Sequence, residues 1–580
     1  MMFDSVIRGG KVVDGSGEPA KALDIGIVGD RIVAVGTELG AAHEVIDATG
    51  LLVTPGWVDI HSHYDAQATW DPYLTPSSFH GVTTTVMGNC GVGFAPVKPE
   101  KRKWLIGLME GVEDIPGAAM TEGIQWEWES FPEYLDALES RTFVMDVGTQ
   151  VPHGAVRGFV MGDRGAANEA ATDEDIVAMH AIVKEGLEAG ALGFSSSRTM
   201  LHKAIDGRPV PGTFAEKREI FGVAKALADV GHGVFELASQ HETLDQDIEW
   251  MDELSQEIGR PVSVNLSQID EHPRLWKEIL ERLERCPKES QLIGQVAGRA
   301  IGVVMGLELT AHPFATTPYW LQNLMRCSPE ERRLKLQDPE TRRLLLEDTP
   351  LSIGPFEDFV TQSFERMFPF NDAPDYEPTP QMSIAELAKV SGRSPREEAL
   401  VHLMAHDGRG FLYFPLFNYA DGSLDPTSEL LEHPRTRLGL ADAGAHCGAI
   451  CDGSVPTFML TFWARDRARG PKLPLERVVQ MQTSETAELF GLQDRGLLKP
   501  GYLADLNLID FESLELHRPE VLYDLPAGGR RLSQRASGYH ATMKSGVWTH
   551  RDGIPTGALP GGLIRGPQST PKDTTQSEAA

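Results

Sequence analysis

The sequence has few cysteines and few basic residues for its length. Its 580 residues include five cysteines, an odd and sparse set. Domains stapled by disulfides carry dense, even sets, so these five are interpreted as free thiols, any of which could bind a metal ion. With 53 lysine and arginine residues against 84 acidic ones, the formal net charge is −31. Such a charge repels phosphate backbones and anionic membrane surfaces, so neither nucleic acid nor membrane is an expected partner.

Long hydrophobic runs and an export signal are also missing. No apolar stretch approaches the roughly 20 residues of a membrane helix, and the hydrophobic fraction of 41% is typical of a globular protein. The segment from Met1 to Arg8 lacks the basic start and apolar core of an exported chain. We therefore expect a soluble, cytoplasmic protein with a small-molecule substrate, and the sequence leaves a homo-oligomer open.

Short alternating apolar runs at both ends of the chain predict a small β-domain. Between Ser5 and Val53 these runs are separated by glycine and aspartate turns, and the same texture returns at residues 500–510 and 542–547. We expect residues 1–53 and 491–566 to pair into one discontinuous domain. The polar tail at residues 567–580 is expected to be disordered.

Strands alternate with amphipathic helices between the two ends, which favours a parallel α/β core. One helix begins with Thr172 and Asp175 in a capping-box pattern and ends at Gly190. The candidate strands lie at residues 53–59, 83–86, 143–147, 192–194, 234–237, 262–264, 292–296 and 438–441. Eight such units predict a (β/α)8 TIM barrel over residues 54–490, with its chemistry at the C-terminal strand ends. The long interval 298–437 is interpreted as barrel helices plus an active-site lid.

The strongest chemical signal is a histidine pair after the first candidate strand. Residues 55–63 read Pro-Gly-Trp-Val-Asp-Ile-His-Ser-His. Residues two apart in a strand face the same way, so His61 and His63 present two imidazoles to one point. Two histidines packed in a core are the ordinary alternative, but the strand-end position favours ligation of a divalent metal ion.

Two further candidates follow later strands. Cys90 ends the second candidate strand between small residues, where a thiolate could bind or bridge a metal ion. A buried, inert cysteine is the ordinary alternative. Asp442 follows the last candidate strand, and its carboxylate could contact the metal ion and accept a proton from bound water. The alternative for Asp442 is a helix N-cap.

These segments resemble the amidohydrolase superfamily, and within it the D-aminoacylases, or N-acyl-D-amino-acid deacylases. The resemblance covers nearly the whole chain and includes residues 55–65, the Gly-Asn-Cys-Gly of residues 88–91, and residues 190–195 and 496–505. It implies that His61 and His63 are metal ligands, that Cys90 is a bridging ligand and that Asp442 is the general base. It also implies hydrolysis of the amide bond of an N-acyl amino acid, most simply an N-acyl-D-amino acid, by metal-bound hydroxide.

Two departures from the family bear on the metal count. Where the family has a histidine after strand five and Ser-His-x-Lys after strand six, this chain has Ala238 and Leu266. Glu236 or His241 could substitute as a ligand, although a solvated role at a helix start explains either equally well. We therefore expect one tightly bound zinc ion. The departures leave open a cyclic or xenobiotic amide as substrate, and a barrel that has lost catalysis and serves in binding.

Four residues are weaker candidates for substrate binding. Residues 152–157 resemble the family's Gly-His-x-x-x-Arg after strand three, so His153 could polarise the substrate carbonyl and Arg157 could bind a carboxylate. Arg198, after a serine run, is a second carboxylate candidate. His446 is expected at the mouth of the site. Ion pairs within the fold explain the arginines equally well, and a loop position explains His446.

Overall fold

Eight parallel strands form a closed barrel in the computed structural model, which describes residues 2–439 and 441–571. The barrel strands are Trp57–Asp59, Val82–Met87, Asp146–Thr149, Gly193–Ser197, Val234–Ala238, Val262–Asn265, Leu292–Ala297 and Thr436–Gly439. A short extension of the third strand, Val151–Pro152, pairs with the fourth. The barrel closes where Ser62, after the first strand, bridges Ala443, after the last. The (β/α)8 prediction is confirmed.

Helices cover the outside of the barrel in the intervals between its strands. The helix Asp173–Ala189 begins as predicted: the Thr172 hydroxyl accepts a hydrogen bond from the Asp175 N–H, and the Asp175 carboxylate accepts one from the Thr172 N–H. It ends at Gly190, whose φ of 119° suits glycine. The other covering helices are Arg102–Glu113, Gly117–Gly123, Phe131–Glu139, His153–Met161, Asp163–Ala166, Lys217–Val230, Leu244–Ile258, Leu275–Arg285, Asp425–Glu432, Val455–Phe458, Met459–Asp466, Leu475–Met481 and Ser484–Leu489. Among the described helices, none has the length and apolar character needed to span a membrane.

The long interval before the last barrel strand has its own small core. Strands Gly302–Met305, Leu412–Pro415 and Phe368–Pro369 pair antiparallel, and Phe314, Leu336 and Phe414 are among the residues of a separate hydrophobic cluster. The helices of this insertion are Pro318–Asn323, Pro329–Gln337, Pro339–Glu347, Pro355–Gln362, Ile384–Ser391, Pro395–Leu403 and Ala405–Gly408. Several of its residues line the cavity described below.

The two ends of the chain form one sheet, so the predicted discontinuous β-domain is confirmed. The strand Leu52–Pro55 pairs parallel with Phe3–Val12 and antiparallel with Leu506–Ile509. Within the described residues, the other strands of this sheet are Lys21–Val28, Arg31–Gly36, Ala42–Asp47, Tyr539–Lys544, Val547–Arg551 and Ile554–Pro555. Beyond it, Gln568 pairs with Leu492, so an ordered chain continues past the predicted start of the tail at Pro567. Residues 572–580 of that tail lie outside the described residues.

Buried charges join the β-domain to the barrel. The Lys544 ammonium, which is fully buried, lies 2.8 Å from Asp146 on the third barrel strand and 3.0 Å from Asp505. Arg495 donates a hydrogen bond of 2.6 Å to the same Asp146 carboxylate and one of 3.1 Å to Thr84. Burying these charges is tolerable only because each has partners, so the network holds one arrangement of the two domains.

Candidate metal centre

Three predicted metal ligands meet at the C-terminal end of the barrel. The ligating atoms of His61, His63 and Cys90 all lie within 4.8 Å of one another, and all three residues are buried. Cys90 Sγ is 3.3 Å from His61 Nε2. Cys90 has a φ of 57°, and the turn around it relies on Gly91, where a Cβ would come within 2.9 Å of the Ser196 backbone. Imidazole and thiolate are the donors that zinc prefers.

Asp442 lies beside these three side chains, as the sequence predicts. Its Oδ1 atom is 3.3 Å from His61 Nε2 and 3.5 Å from His63 Nε2. Two backbone hydrogen bonds fix this approach: the Asp442 N–H donates to the His61 carbonyl at 3.1 Å, and the His63 N–H donates to the Ala443 carbonyl at 2.8 Å. The carboxylate therefore reaches the point at which the imidazoles converge.

The tautomer of His61 suits metal ligation. Its Nδ1 lies 2.5 Å from Oε1 of Gln295, on the seventh barrel strand. Because a carboxamide oxygen only accepts hydrogen bonds, Nδ1 carries the proton and Nε2 is left unprotonated toward Cys90 and Asp442. Burial lowers the pKa of His61 to about 4, which keeps the ring neutral at neutral pH.

Acidic side chains around the candidate centre favour a positive charge between the two histidines. Burial alone would lower the pKa of His63, but Glu113 and Asp442 outweigh it and raise the pKa to about 9. For Asp442, burial acts to raise the pKa, and the histidines outweigh it, so the pKa falls below its usual range and the carboxylate stays ionised. Burial raises the pKa of the Cys90 thiol, an effect that a bound divalent cation reverses. The donor types and these charges fit one zinc ion.

Two acidic residues near the centre were absent from the predicted site. Glu113, the last residue of the helix Arg102–Glu113, has a carboxylate oxygen 3.4 Å from His63 Nδ1. Glu236 accepts a hydrogen bond of 2.7 Å from the Cys90 N–H, and burial raises its pKa to about 8. The sequence offers no local signal for Glu113, and it indicates Glu236 only as a substitute ligand.

The ends of strands five and six supply no further imidazole to the centre. Ala238 lines the cavity, and Leu266 packs against Gly294. His241 packs its ring on Phe417 with a centroid distance of 5.1 Å. Within residues 2–439 and 441–571, His61, His63 and Cys90 are the one group of side chains that meets the spacing of a metal site.

Three of the residues predicted to bind substrate, His153, Arg157 and Arg198, contact other parts of the fold. His153 begins the helix His153–Met161, and the helix Lys217–Val230 places Glu219 against it, so His153 Nε2 lies 3.0 Å from Glu219 and Arg157 pairs with the same carboxylate. Arg198 donates a hydrogen bond of 3.0 Å to the Ala215 carbonyl and packs over the indole ring of Trp250. In the structure these side chains join neighbouring parts of the fold. A sequence motif alone cannot distinguish such a contact from a contact with substrate.

A cavity of about 240 Å³ opens beside the candidate centre. Its polar lining residues are His63, Cys90, Glu113, Thr199, His202, Ser239, His241, Asn265, Asp442 and His446. His446 thus lies where the sequence predicts it. Its apolar lining residues are Val112, Leu201, Ala238, Ile301, Val303, Phe356, Leu416, Phe417, Ala449 and Ile450. Among the described residues, no lysine or arginine lines this cavity.

The model of the family described as "Amidohydrolase family" matches residues 44–550, which contain every barrel strand and the candidate centre. The chain belongs to the amidohydrolase family. It is accordingly a hydrolase that acts on amide bonds.

Relatives of this amidohydrolase align over nearly its full length. A D-aminoacylase of Alcaligenes xylosoxydans xylosoxydans is 27% identical over 552 residues, which cover 94% of each chain. An N-acyl-D-aspartate deacylase of the same organism is 26% identical over 581 residues, covering 99% of this chain and 97% of the relative. The crystal structure of D-aminoacylase superposes with a TM-score of 0.64 at 24% identity, over 97% of this chain and 100% of that one. The resemblance to D-aminoacylases is confirmed.

Proposed function

We propose that this amidohydrolase cleaves the amide C–N bond of a small N-acylated compound and that His61, His63 and Cys90 hold a zinc ion for that reaction. The observation that supports the proposal is the convergence of three buried metal donors and one ionised carboxylate at the wall of a cavity. Because the similar proteins include a D-aminoacylase and an N-acyl-D-aspartate deacylase, N-acyl-D-amino acids are the first substrates to test.

Asp442 is the residue best placed to move the proton. A zinc ion held there would supply a Lewis acid for the scissile carbonyl and lower the pKa of water from about 15.7 to about 7. The Asp442 carboxylate would accept a proton from the attacking water and return it to the departing nitrogen. The C–N bond breaks, the carbonyl carbon gains the water oxygen, and the products are a carboxylic acid and an amine.

The apolar residues that line the cavity would hold the part of the substrate that does not react. Ile301, Val303 and Phe417 are among these residues, and all three come from the insertion before the last barrel strand. An apolar acyl group or amino-acid side chain would bury its surface against them and exclude water from the reacting bond. We therefore propose substrates with a medium-sized apolar group.

A neutral amide, linear or cyclic, is a second candidate substrate, and one observation favours it. In the part of the chain that the structure describes, the ionisable groups lining the cavity are Glu113, Asp442, Cys90 and histidines, so a substrate carboxylate finds no lysine or arginine there. Carboxylates are ordinarily held by arginine or lysine.

Matched substrate pairs test both candidates. Zinc-loaded protein would be assayed with N-acetyl-D-phenylalanine, its L enantiomer, N-acetyl-D-phenylalaninamide and a hydantoin. A higher kcat/KM for the D-acid supports an N-acyl-D-amino-acid deacylase, and a higher value for the amide or the hydantoin supports the second candidate. If no member of a wider panel of N-acyl amines and cyclic amides is hydrolysed by metal-loaded protein, the proposed function is wrong.

The donor set predicts one tightly bound zinc ion per chain. Zinc takes about four donors, and His61, His63, Cys90 and Asp442 suffice for one ion. Elemental analysis of protein purified without chelators should give one ion, and His61→Ala should give none. The control variant His241→Ala should retain the ion, because this ring packs on Phe417 instead. Two tightly bound ions would show that residues such as Glu236 complete a second site.

A further inference from the structure

Glu113 is a buried carboxylate without a hydrogen-bond partner. Its exposed fraction is 1%, and in the described part of the chain neither carboxylate oxygen accepts a hydrogen bond. Removing a carboxylate from water is costly unless other groups compensate its charge. Because Glu113 is buried at this cost and lines the cavity beside the candidate metal centre, we expect its carboxylate to have a function there.

Two histidine rings face the two oxygens of this carboxylate. His63 Nδ1 lies 3.4 Å from Glu113 Oε1, and His446 Nε2 lies 3.8 Å from Glu113 Oε2. His63 Nδ1 also has no hydrogen-bond partner among the described residues. The opposite ring nitrogen, Nε2, faces Asp442. His63 therefore stands between the candidate centre and Glu113, with one nitrogen toward each.

We propose that Glu113 is a positioning residue for the zinc site, an inference that rests on the proposed function. With zinc bound at His63 Nε2, the Glu113 carboxylate would accept a hydrogen bond from the Nδ1–H group 3.4 Å away and so hold Nε2 toward the metal ion. Gln295 does the same for His61 with a neutral amide. The two ligand histidines thus face different acceptors, a carboxamide for His61 and a carboxyl group for His63, and the carboxyl group would make His63 the more strongly donating ligand.

Glu113 also contacts His446, which lines the cavity. The His446 N–H donates to the backbone carbonyl of Glu113, and its ring faces the carboxylate. Glu113 thus touches a proposed metal ligand and a cavity-lining residue at once. A displaced Glu113 side chain should alter both the metal site and the mouth of the cavity.

The neighbouring residue supplies a matched control. Asp114 has a φ of 49°, and its carboxylate accepts hydrogen bonds from the Gly448 N–H at 3.1 Å and from the Thr310 hydroxyl at 2.9 Å. It anchors the same turn to the loop that carries His446. Asp114→Asn should loosen the anchor and leave the Glu113 charge in place, whereas Glu113→Gln removes the charge and keeps the size.

The experiment measures zinc affinity by chelator competition, together with the visible absorption spectrum of cobalt-substituted protein. Glu113→Gln should weaken zinc binding by roughly 10–100-fold and shift the cobalt bands. Asp114→Asn should keep the parental affinity and spectrum even if its melting temperature falls. Glu113→Asp, which retains the charge one methylene farther away, should fall between the parent and Glu113→Gln.

Parental affinity and spectrum in a folded Glu113→Gln variant would overturn the proposal. If that variant does not fold, parental affinity and spectrum in Glu113→Asp would overturn it equally. An Asp114→Asn variant that loses as much affinity as Glu113→Gln would show that the turn, and not the charge, is responsible. A parent chain that binds zinc and hydrolyses amides while Glu113→Gln is unaffected would refute this inference alone. A parent that binds no zinc would refute the proposed function as well.

Discussion

Asp442 combines an unusual backbone conformation with a central position. Its φ of 45° lies in the left-handed region, which costs free energy for a residue other than glycine. That conformation brings the carboxylate to both proposed histidine ligands. Strain of this kind persists where the surrounding structure enforces it, and it commonly accompanies catalytic function.

At this position we predict that Asp442→Asn lowers kcat by about 10²–10⁴-fold, because an amide keeps the shape but cannot accept the proton. Metal content by elemental analysis should remain close to the parent, since the other three donors are unchanged. Asp114→Asn, the same change at a residue outside the donor set, should leave kcat within a few-fold of the parent. Activity close to the parental value in Asp442→Asn would remove this residue from the mechanism.

The residues that the sequence predicts correctly owe their position to local geometry. His61, His63, Cys90 and Asp442 follow barrel strands directly, so strand periodicity and barrel topology together bring them to one place. Their metal-binding and catalytic roles stay predictions.

Sequence patterns do not locate residues whose position depends on tertiary packing. Glu113 reaches the site from the end of a covering helix, and nothing in its neighbourhood in the sequence distinguishes it from a solvated helix residue. For Arg157 and Arg198 the sequence leaves substrate binding and a structural role equally open, and the structure gives them Glu219 and the Ala215 carbonyl as partners.

At the scale of elements, a buried charge cluster holds two covering helices together. The Glu219 carboxylate pairs with both Arg157 and His153. Glu219 and Arg157 are almost fully buried. Burial would raise the pKa of Glu219, but His153 and Arg157 outweigh it and lower the pKa to about 2 from the ordinary 4.5. A lowered folded-state pKa means that the ionised form stabilises the fold.

We predict that Glu219→Gln lowers the free energy of unfolding by about 3–5 kcal/mol at pH 7, because Arg157 is left buried without its partner. The stabilisation by the parental carboxylate is fully present above pH 4.5 and is lost as the pH falls toward about 2. The difference between parent and variant, measured by denaturant unfolding at pH 7, 4 and 3, should therefore shrink across that range. KM should not change. If Glu219→Gln raises KM and keeps the parental stability, His153 and Arg157 bind substrate instead.

Element boundaries show where sequence patterns were insufficient. The third barrel strand was predicted at residues 143–147, and in the structure it spans Asp146–Thr149 with the extension Val151–Pro152. Phe143 instead bridges Gly561 near the other end of the chain, and Val147 bridges Leu563. A partner more than 400 residues away moves the start of the strand, and no local pattern carries that information. The capping box at Thr172 was predictable because it is complete within four residues.

For the whole molecule we predict that a fragment ending before Pro500 is insoluble and inactive. It lacks Leu506–Ile509, the partner of Leu52–Pro55, so an apolar strand edge is left unpaired. It also lacks Lys544, so the buried Asp146 carboxylate keeps Arg495 and loses its other cationic partner. The soluble fraction after expression and the amidase activity would be measured. Removal of residues 572–580 alone is the control and should leave both unchanged. A soluble and active 1–499 fragment would contradict the role of the chain ends in the fold.

The pairing of Leu52–Pro55 with Leu506–Ile509 also has a consequence for the protein while it is being synthesised. The two strands are separated by roughly 450 residues, which ribosomes translate in roughly 20 to 90 s at about 5–20 residues per second. For that time the nascent chain presents an unpaired strand edge to its surroundings. A chaperone that holds such an edge would raise the yield of this protein, and a message truncated before codon 506 would give a product open to proteolysis.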